Sequence, residues 1–310
     1  MAAASDSDRV SPAIADRMVY SLVLEFSPEA DAAISRTHGY QAYALFLQLI
    51  GQAAPDFARH LHDLPTTKPF TLSPLSGRFE RQEGLVLLRH GQPYQMRLTL
   101  LGDDIFARTL DALARSPSDG SLRLESAALR LSRVVTVRGK AEGVACSSFR
   151  ALLAGAEPQR RLAIRFLSPT VFRSAGKRNV NLPLPGLVFG SLLSRWNEFS
   201  SVAMPERLRE VAANDVLIAR YDIETRVMDF GSYKEIGFVG EAEYECPPEV
   251  DDETCQLLSA LADFALYSGV GAKTTMGMGQ ARRRTALDSR GSYRAADQRR
   301  RRVAPDCTGG

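Results

Sequence analysis

Apolar residues change their spacing several times along the chain, and each change marks an element. The run "MVYSLVLEF" at 18–26 is apolar and rich in β-formers, which predicts a buried strand. Between 37 and 52, Tyr40, Ala44, Leu47 and Ile50 recur at the spacing of an amphipathic helix. Pro55 suits the first turn of a short second helix, "PDFARHLHDL", which Pro65 ends. Extended runs follow at 68–74, 84–89 and 94–101. "DDIFARTLDALARS" then reads as a helix with acids in its first turn, where the helix dipole favours them. Residues 122–137 read as extended again.

A less regular stretch at 139–159 separates this half from a second. There "RLAIRFLSPTVF" predicts a strand stopped by Ser168-Pro169, and "GLVFGSLLSRWNEF" a helix. Strands around 216–229 and 237–245, a helix over 251–267, a glycine-rich loop and a last short strand complete it. Each half approximates β-α-β-β-α-β, the ferredoxin-like pattern, so the fold class is α+β with two tandem copies. The expected organisation is a flexible leader at 1–16, an N-terminal domain at 17–140, a C-terminal domain at 160–284 and a disordered arginine-rich tail at 285–310.

Composition narrows the setting. The 310 residues are 45% hydrophobic, enough for packed cores, yet no apolar run is long enough to span a membrane. The leader has no apolar core of a secretory signal, and Cys146, Cys246, Cys255 and Cys307 are scattered. Both features point to a reducing cytoplasm, without a disulfide framework or a zinc site. Net charge is +3, but residues 282–310 carry nine arginines against three aspartates, so the remaining body is about −3. A polyanion would therefore meet a local basic patch rather than a global field. The tail could bind nucleic acid nonspecifically or be a solvated end.

Candidate chemistry is sparse. The stretch "YSGVGAKTTMGMGQ" is no nucleotide P-loop, because Ala272 and Tyr267 stand where that motif needs glycine. What remains is a symmetric pair, Gly269-x-Gly271 and Gly277-x-Gly279 around Lys273. It could form a backbone nest for anions or a plain connection between elements. The histidines are His38, His60, His62 and His90. His60 and His62 project roughly 200° apart on a helix, a poor metal pair, and no metal is expected. Proton transfer suits histidine better, since its ordinary pKa lies near neutrality. Lys68, beyond the Pro65 turn, could return close to His62 and stabilise a charged phosphorane. The competing reading is a pair of exposed histidines beside a solvated lysine.

Order and spacing of several segments add a resemblance. "HGYQAYALFLQLI", "HLHDLPTTKPFTLSPL", "FLSPTVF", "FGSYKEIGFVGEAEY" and "GVGAKTTMGMG", spread over 18–284, resemble the RAMP superfamily of CRISPR-associated proteins. Within it, the chain looks like the endoribonuclease that processes precursor CRISPR RNA. That family is built of two ferredoxin-like (RRM-like) folds with a C-terminal glycine-rich loop. The resemblance implies metal-independent, cofactor-free cleavage of repeat RNA, in which the ribose 2′-hydroxyl attacks the adjacent phosphate. It implies 2′,3′-cyclic phosphate and 5′-hydroxyl ends. By its motif, His62 is the general base and Lys68 the stabiliser of the transition state. The family's tyrosine position holds Leu47 here, so Tyr43, Tyr40 or His38 is expected to substitute, His38 also as a base. Gly269, Gly271, Lys273, Gly277 and Gly279 are expected to meet RNA phosphates, and Lys177, Arg178 and Arg173 to grip a repeat hairpin. Expected partners are precursor and mature CRISPR RNA, with a CRISPR effector complex or a second copy of the chain also compatible. The alternative is a non-catalytic repeat-binding RAMP subunit.

Overall fold

A computed structural model describes residues 16–65, 67–117, 120–173 and 179–284. The first half runs β1 (Met18–Pro28), β2 (Ala32–Ser35), α1 (Gly39–Ala53), α2 (Pro55–Asp63), β3 (Phe70–Leu72), β4 (Glu80–Arg81), β5 (Leu85–Leu88), β6 (Tyr94–Leu101), α3 (Asp103–Arg115), β7 (Leu122–Leu124) and β8 (Ala127–Val135). β9 (Ala145–Ser148) and α4 (Phe149–Ala154) lead into the second half. That half runs β10 (Arg161–Thr170), β11 (Phe172–Arg173), β12 (Asn179–Val180), α5 (Pro185–Phe199), α6 (Arg207–Asn214), β13 (Leu217–Asp229), β14 (Lys234–Glu245), α7 (Asp252–Ser268) and β15 (Ala281–Arg283). A single 3-10 turn, Thr274–Met276, lies in the glycine loop.

The two sheets share one topology. The first has the order β3-β6-β1-β8-β7, with β9 beside the start of β1, and the second has β13-β14-β10-β15. In each, the first strand of the repeat lies between its third and fourth, as in ferredoxin-like folds. Period-two alternation explains the packing: β1 turns Leu22, Leu24 and Phe26 into one core, and β10 turns Leu162, Ile164 and Phe166 into the other. Helices cover those faces, and Trp196 is fully buried between Phe149 and Phe264.

Three local readings change. β10 does not stop at Ser168-Pro169 but continues to Thr170, because its register with β14 shifts there and the missing proline N–H interrupts no ladder bond. The irregular stretch holds β9, which pairs with Met18–Ser21 of β1 and extends the first sheet to Ser148. α4 follows it, capped by the Ser148 side chain accepting from the Ala151 amide at 3.1 Å. α6 escaped notice because only Leu208 and Ala212 are buried, one helical step that shows no period.

The halves lock through buried polar groups. Arg97 of β6 reaches across to donate to the Leu266 carbonyl and to Gln280 Oε1, both at 2.6 Å. Gln280 Nε2 in turn donates to the Leu72 carbonyl at 3.1 Å. Burial lowers the Arg97 pKa to about 10, so the guanidinium remains charged at neutral pH and relies on these acceptors.

Candidate active site and nucleic-acid interface

The start of α1 gathers the candidate groups. α2 folds back beside α1 because Phe57 and Leu61 are buried in the first core, which leaves His62 on its exposed side. Tyr43, one turn into α1, is 4% exposed and places its Oη 3.3 Å from His62 Nδ1, with the rings stacked at 6.2 Å. Burial raises the Tyr43 pKa, followed by the nearby Tyr40 and Asp63, so its phenol stays protonated. Among the described residues, His62 Nε2 has no protein hydrogen-bond partner. The pair can serve either proton direction. When Nδ1–H donates to Tyr43, Nε2 carries a base's lone pair. In the imidazolium Nδ1–H still donates to Tyr43, and Nε2 carries an acid's proton.

Lys68 does return to His62, but as a cap. Its Nζ donates to the carbonyls of Leu61, His62 and Leu64 at 2.6, 2.8 and 3.4 Å, closing the C-terminus of α2. Burial lowers its pKa. Its three donors are engaged in fixing the helix end that carries His62.

The other candidates divide. Tyr40 stands 47% exposed in the first turn of α1. His38 precedes that turn and is 3% exposed, with Nδ1 2.9 Å from the Ser35 carbonyl. Burial is the main cause of its lowered pKa, so it is a neutral ring within the fold. Arg173 is exposed on β11, whereas Lys177 and Arg178 lie outside the described residues, as do the leader up to residue 15 and the tail from 285.

The glycine loop docks on the same end of α1. Gly277 has φ 82°, and a Cβ there would lie 2.7 Å from the Gly39 Cα, so two backbones touch where no side chain fits. Gly269, Gly271 and Gly279 likewise have positive φ. Many loop amides are already used: Val270 donates to Gly279, Ala272 to Val171 and Gly279 to Pro169, all within 2.9 Å, and Gly271 donates to Ser191 Oγ at 2.9 Å. Lys273 takes the left-handed conformation and forms an ion pair with Glu235; their side chains are only 9% and 12% exposed. Its charge is consumed inside the protein, a fact the local sequence could not show. The partners sit in "FGSYKEIGFVGEAEY", a segment that reads locally as one hairpin.

Between the open faces of the two sheets runs a groove of about 790 Å³. Arg36, Arg97, Arg226 and Arg282 line it beside His38 and Glu142. Sequence reasoning missed Arg36, Arg97 and Arg226, which stand in no local basic run, and read Arg282 only as the start of the arginine-rich tail. Among the described residues no group of three His, Cys, Asp or Glu side chains could share a metal ion. No described helix is long and apolar enough to cross a membrane.

Comparison with known proteins gives concordant matches. A family model described as CRISPR-associated endoribonuclease Cas6 matches residues 164–281, and the Cas6 N-terminal domain model matches 18–148. Curated Cas6 endoribonucleases from two Mycobacterium tuberculosis strains are 28% identical over 137 residues. That stretch is 44% of this chain and spans less than half, 43%, of theirs. A solved Thermus thermophilus Cas6 is 31% identical with a TM-score of 0.69, covering 87% of this chain and 100% of that one. The same protein in a product complex is 32% identical with a TM-score of 0.72, covering 86% and 99%. Another Cas6, in a substrate mimic complex, is 28% identical with a TM-score of 0.65, again over 86% and 99%.

Proposed function

The chain belongs to the CRISPR-associated endoribonuclease Cas6 family, and on that premise we propose that it cleaves the repeats of precursor CRISPR RNA without a metal. The observation that carries this reading is the Tyr43–His62 pair, with Tyr43 one turn from the start of α1 on which the glycine loop docks. In the proposed reaction, His62 Nε2 takes the proton of the ribose 2′-hydroxyl. The freed oxygen attacks the adjacent phosphorus, and the P–O bond to the next nucleotide's 5′-oxygen breaks. A proton returned to that oxygen leaves a 5′-hydroxyl opposite a 2′,3′-cyclic phosphate. Tyr43 orients the imidazole, while Lys68 fixes the helix end that presents it. A wrong placement of even 1 Å is costly in such chemistry, so both act through geometry.

RNA binding divides between two surfaces in this proposal. The glycine loop lets the phosphate backbone come close, and Arg173 with Lys177 and Arg178 grips a repeat hairpin. A stem in A-form shows little sequence in its narrow major groove, so recognition rests on shape and on flanking single strand. The arginine-lined groove suits that flanking strand. Support comes from the solved relatives in product and substrate mimic complexes.

The test is incubation of the repeat RNA from the protein's own locus in excess EDTA, followed by analysis of the product ends. A single cut with a 5′-hydroxyl and a cyclic or 3′-phosphate is expected. Tight binding without a cut would assign the chain to the non-catalytic RNA-holding class instead. Loss of cutting in EDTA with restoration by a divalent ion would overturn the metal-free mechanism.

A further inference from the structure

The turn of the β13–β14 hairpin is an outlying part of the second half, yet it touches both components of the candidate site. On one side Lys273 of the glycine loop donates to Glu235 and, at 3.0 Å, to Tyr233 Oη. Its ammonium also sits 4.4 Å from the Phe230 ring centre and 4.2 Å from that of Tyr233, whose rings stack at 5.0 Å. The second Glu235 oxygen accepts from the Asn179 side chain, so the carboxylate is fully engaged. Beneath this pair, Met278 packs in a small separate core with Val171, Met228 and Phe230, and Met276 packs against it. On the other side the Asp229 amide donates to Thr37 Oγ1 at 3.3 Å, one residue before His38 and two before the start of α1.

We propose that Lys273 is a positioning residue: its ion pair with Glu235 clamps the glycine loop to the hairpin turn, which also holds the start of α1. The physical case rests on the cation's surroundings. A lysine meant for phosphate needs its ammonium in solvent reach, whereas this one is enclosed by a carboxylate, a phenol and two aromatic faces. Phosphate contact would require breaking a nearly buried ion pair. The clamp instead keeps the 274–278 segment seated against Gly39. The inference rests on the proposed cleavage reading only for its kinetic consequence; the clamp itself is read independently.

The experiment pairs two measurements on the full chain with Glu235→Gln, Lys273→Met, Lys273→Arg and the reversed pair Lys273→Glu/Glu235→Lys. The first is single-turnover cleavage of the locus repeat RNA at saturating protein, with affinity measured on the same RNA carrying a 2′-deoxy sugar at the cut. Lys273→Met and Glu235→Gln are expected to slow cleavage about tenfold or more, with affinity within about threefold of wild type. Lys273→Arg and the reversed pair are expected to recover most of the rate. The second measurement is amide hydrogen exchange over 269–280, which needs no activity. Faster exchange there in Glu235→Gln, with the two cores still protected, supports the clamp.

Weakened affinity with an unchanged saturated rate would make Lys273 a direct RNA contact and overturn the proposal. So would wild-type exchange in Glu235→Gln. If the wild-type protein binds but does not cut, the cleavage reading fails while the exchange result still decides the clamp. If Lys273→Met does not fold, Glu235→Gln, which keeps a neutral acceptor of the same shape, gives the answer.

Discussion

The two halves repeat one topology but handle their helices differently. In the first half α3 buries only Ile105, Thr109, Ala112 and Leu113, one stripe against its own sheet. Its counterpart α7 buries eleven of its seventeen residues, because it packs on its own sheet and also against the first half. The second half therefore devotes its last helix and the following loop to joining the domains. The first half leaves the outer side of α2 open, and His60 and His62 lie exposed there. Duplication of a fold repeats the scaffold, not the placement of chemistry. What separates the proposed proton-transfer side from the docking side is which helix surface the other half leaves uncovered.

That contrast can be broken at its chemical side first. His62→Ala should slow repeat cleavage by roughly 10² or more in single-turnover assays while RNA affinity stays near wild type. His60→Ala, its exposed neighbour, should change neither. Wild-type rates in His62→Ala would move proton transfer away from α2. On the docking side, Gly277→Val forces a β-branched residue to positive φ and into the Gly39 backbone. It should cost about 1–3 kcal/mol of stability, visible as a lower Tm, and reduce RNA affinity as the loop is displaced. An unshifted Tm would show that the loop yields freely and does not fasten the halves.

Smaller changes sharpen the division. Tyr43→Phe keeps the packing but removes the Oη partner of His62 Nδ1, so the saturated rate should fall about tenfold or less and the pH–rate profile should shift. An unmoved profile would confine Tyr43 to packing. The smallest effect concerns His38, whose folded pKa lies below its ordinary value of 6.5 because of burial. The unfolded chain then binds the proton more readily. Its contribution to stability is complete above pH 6.5 and is lost as pH falls from there through the folded value. Thermal melts from pH 7.5 to 5 should show a shallower loss in His38→Gln than in wild type. Parallel curves would mean that His38 does not carry this part of the acid sensitivity.

Legibility followed the range of the forces involved. Apolar, β-rich runs such as 18–26 and the spacing of apolar residues in α1 placed strands and helices within a few residues, because burial of an element is a local demand. α4, α6 and β9 were missed since each is too short to show a period. At the site, the proximity of His62 and Lys68 was read from their spacing across the Pro65 turn, and the structure brings them together; the lysine's engagement with three carbonyls did not show in that spacing. The pairing of Tyr43 with His62 across nineteen positions was one of several options until α2 was seen folded on α1.

The sequence by itself determined the α+β class, the tandem pattern, where most helices and strands lie and the family resemblance. Those follow from residue periodicity and from motifs that any chain segment carries alone. Only the tertiary structure decided that His38 is enclosed, that Gly277 meets Gly39 and that Lys273 is bound to Glu235, 38 positions away. A charge's role depends on what surrounds it, and in the interior those surroundings come from distant segments that only packing brings together.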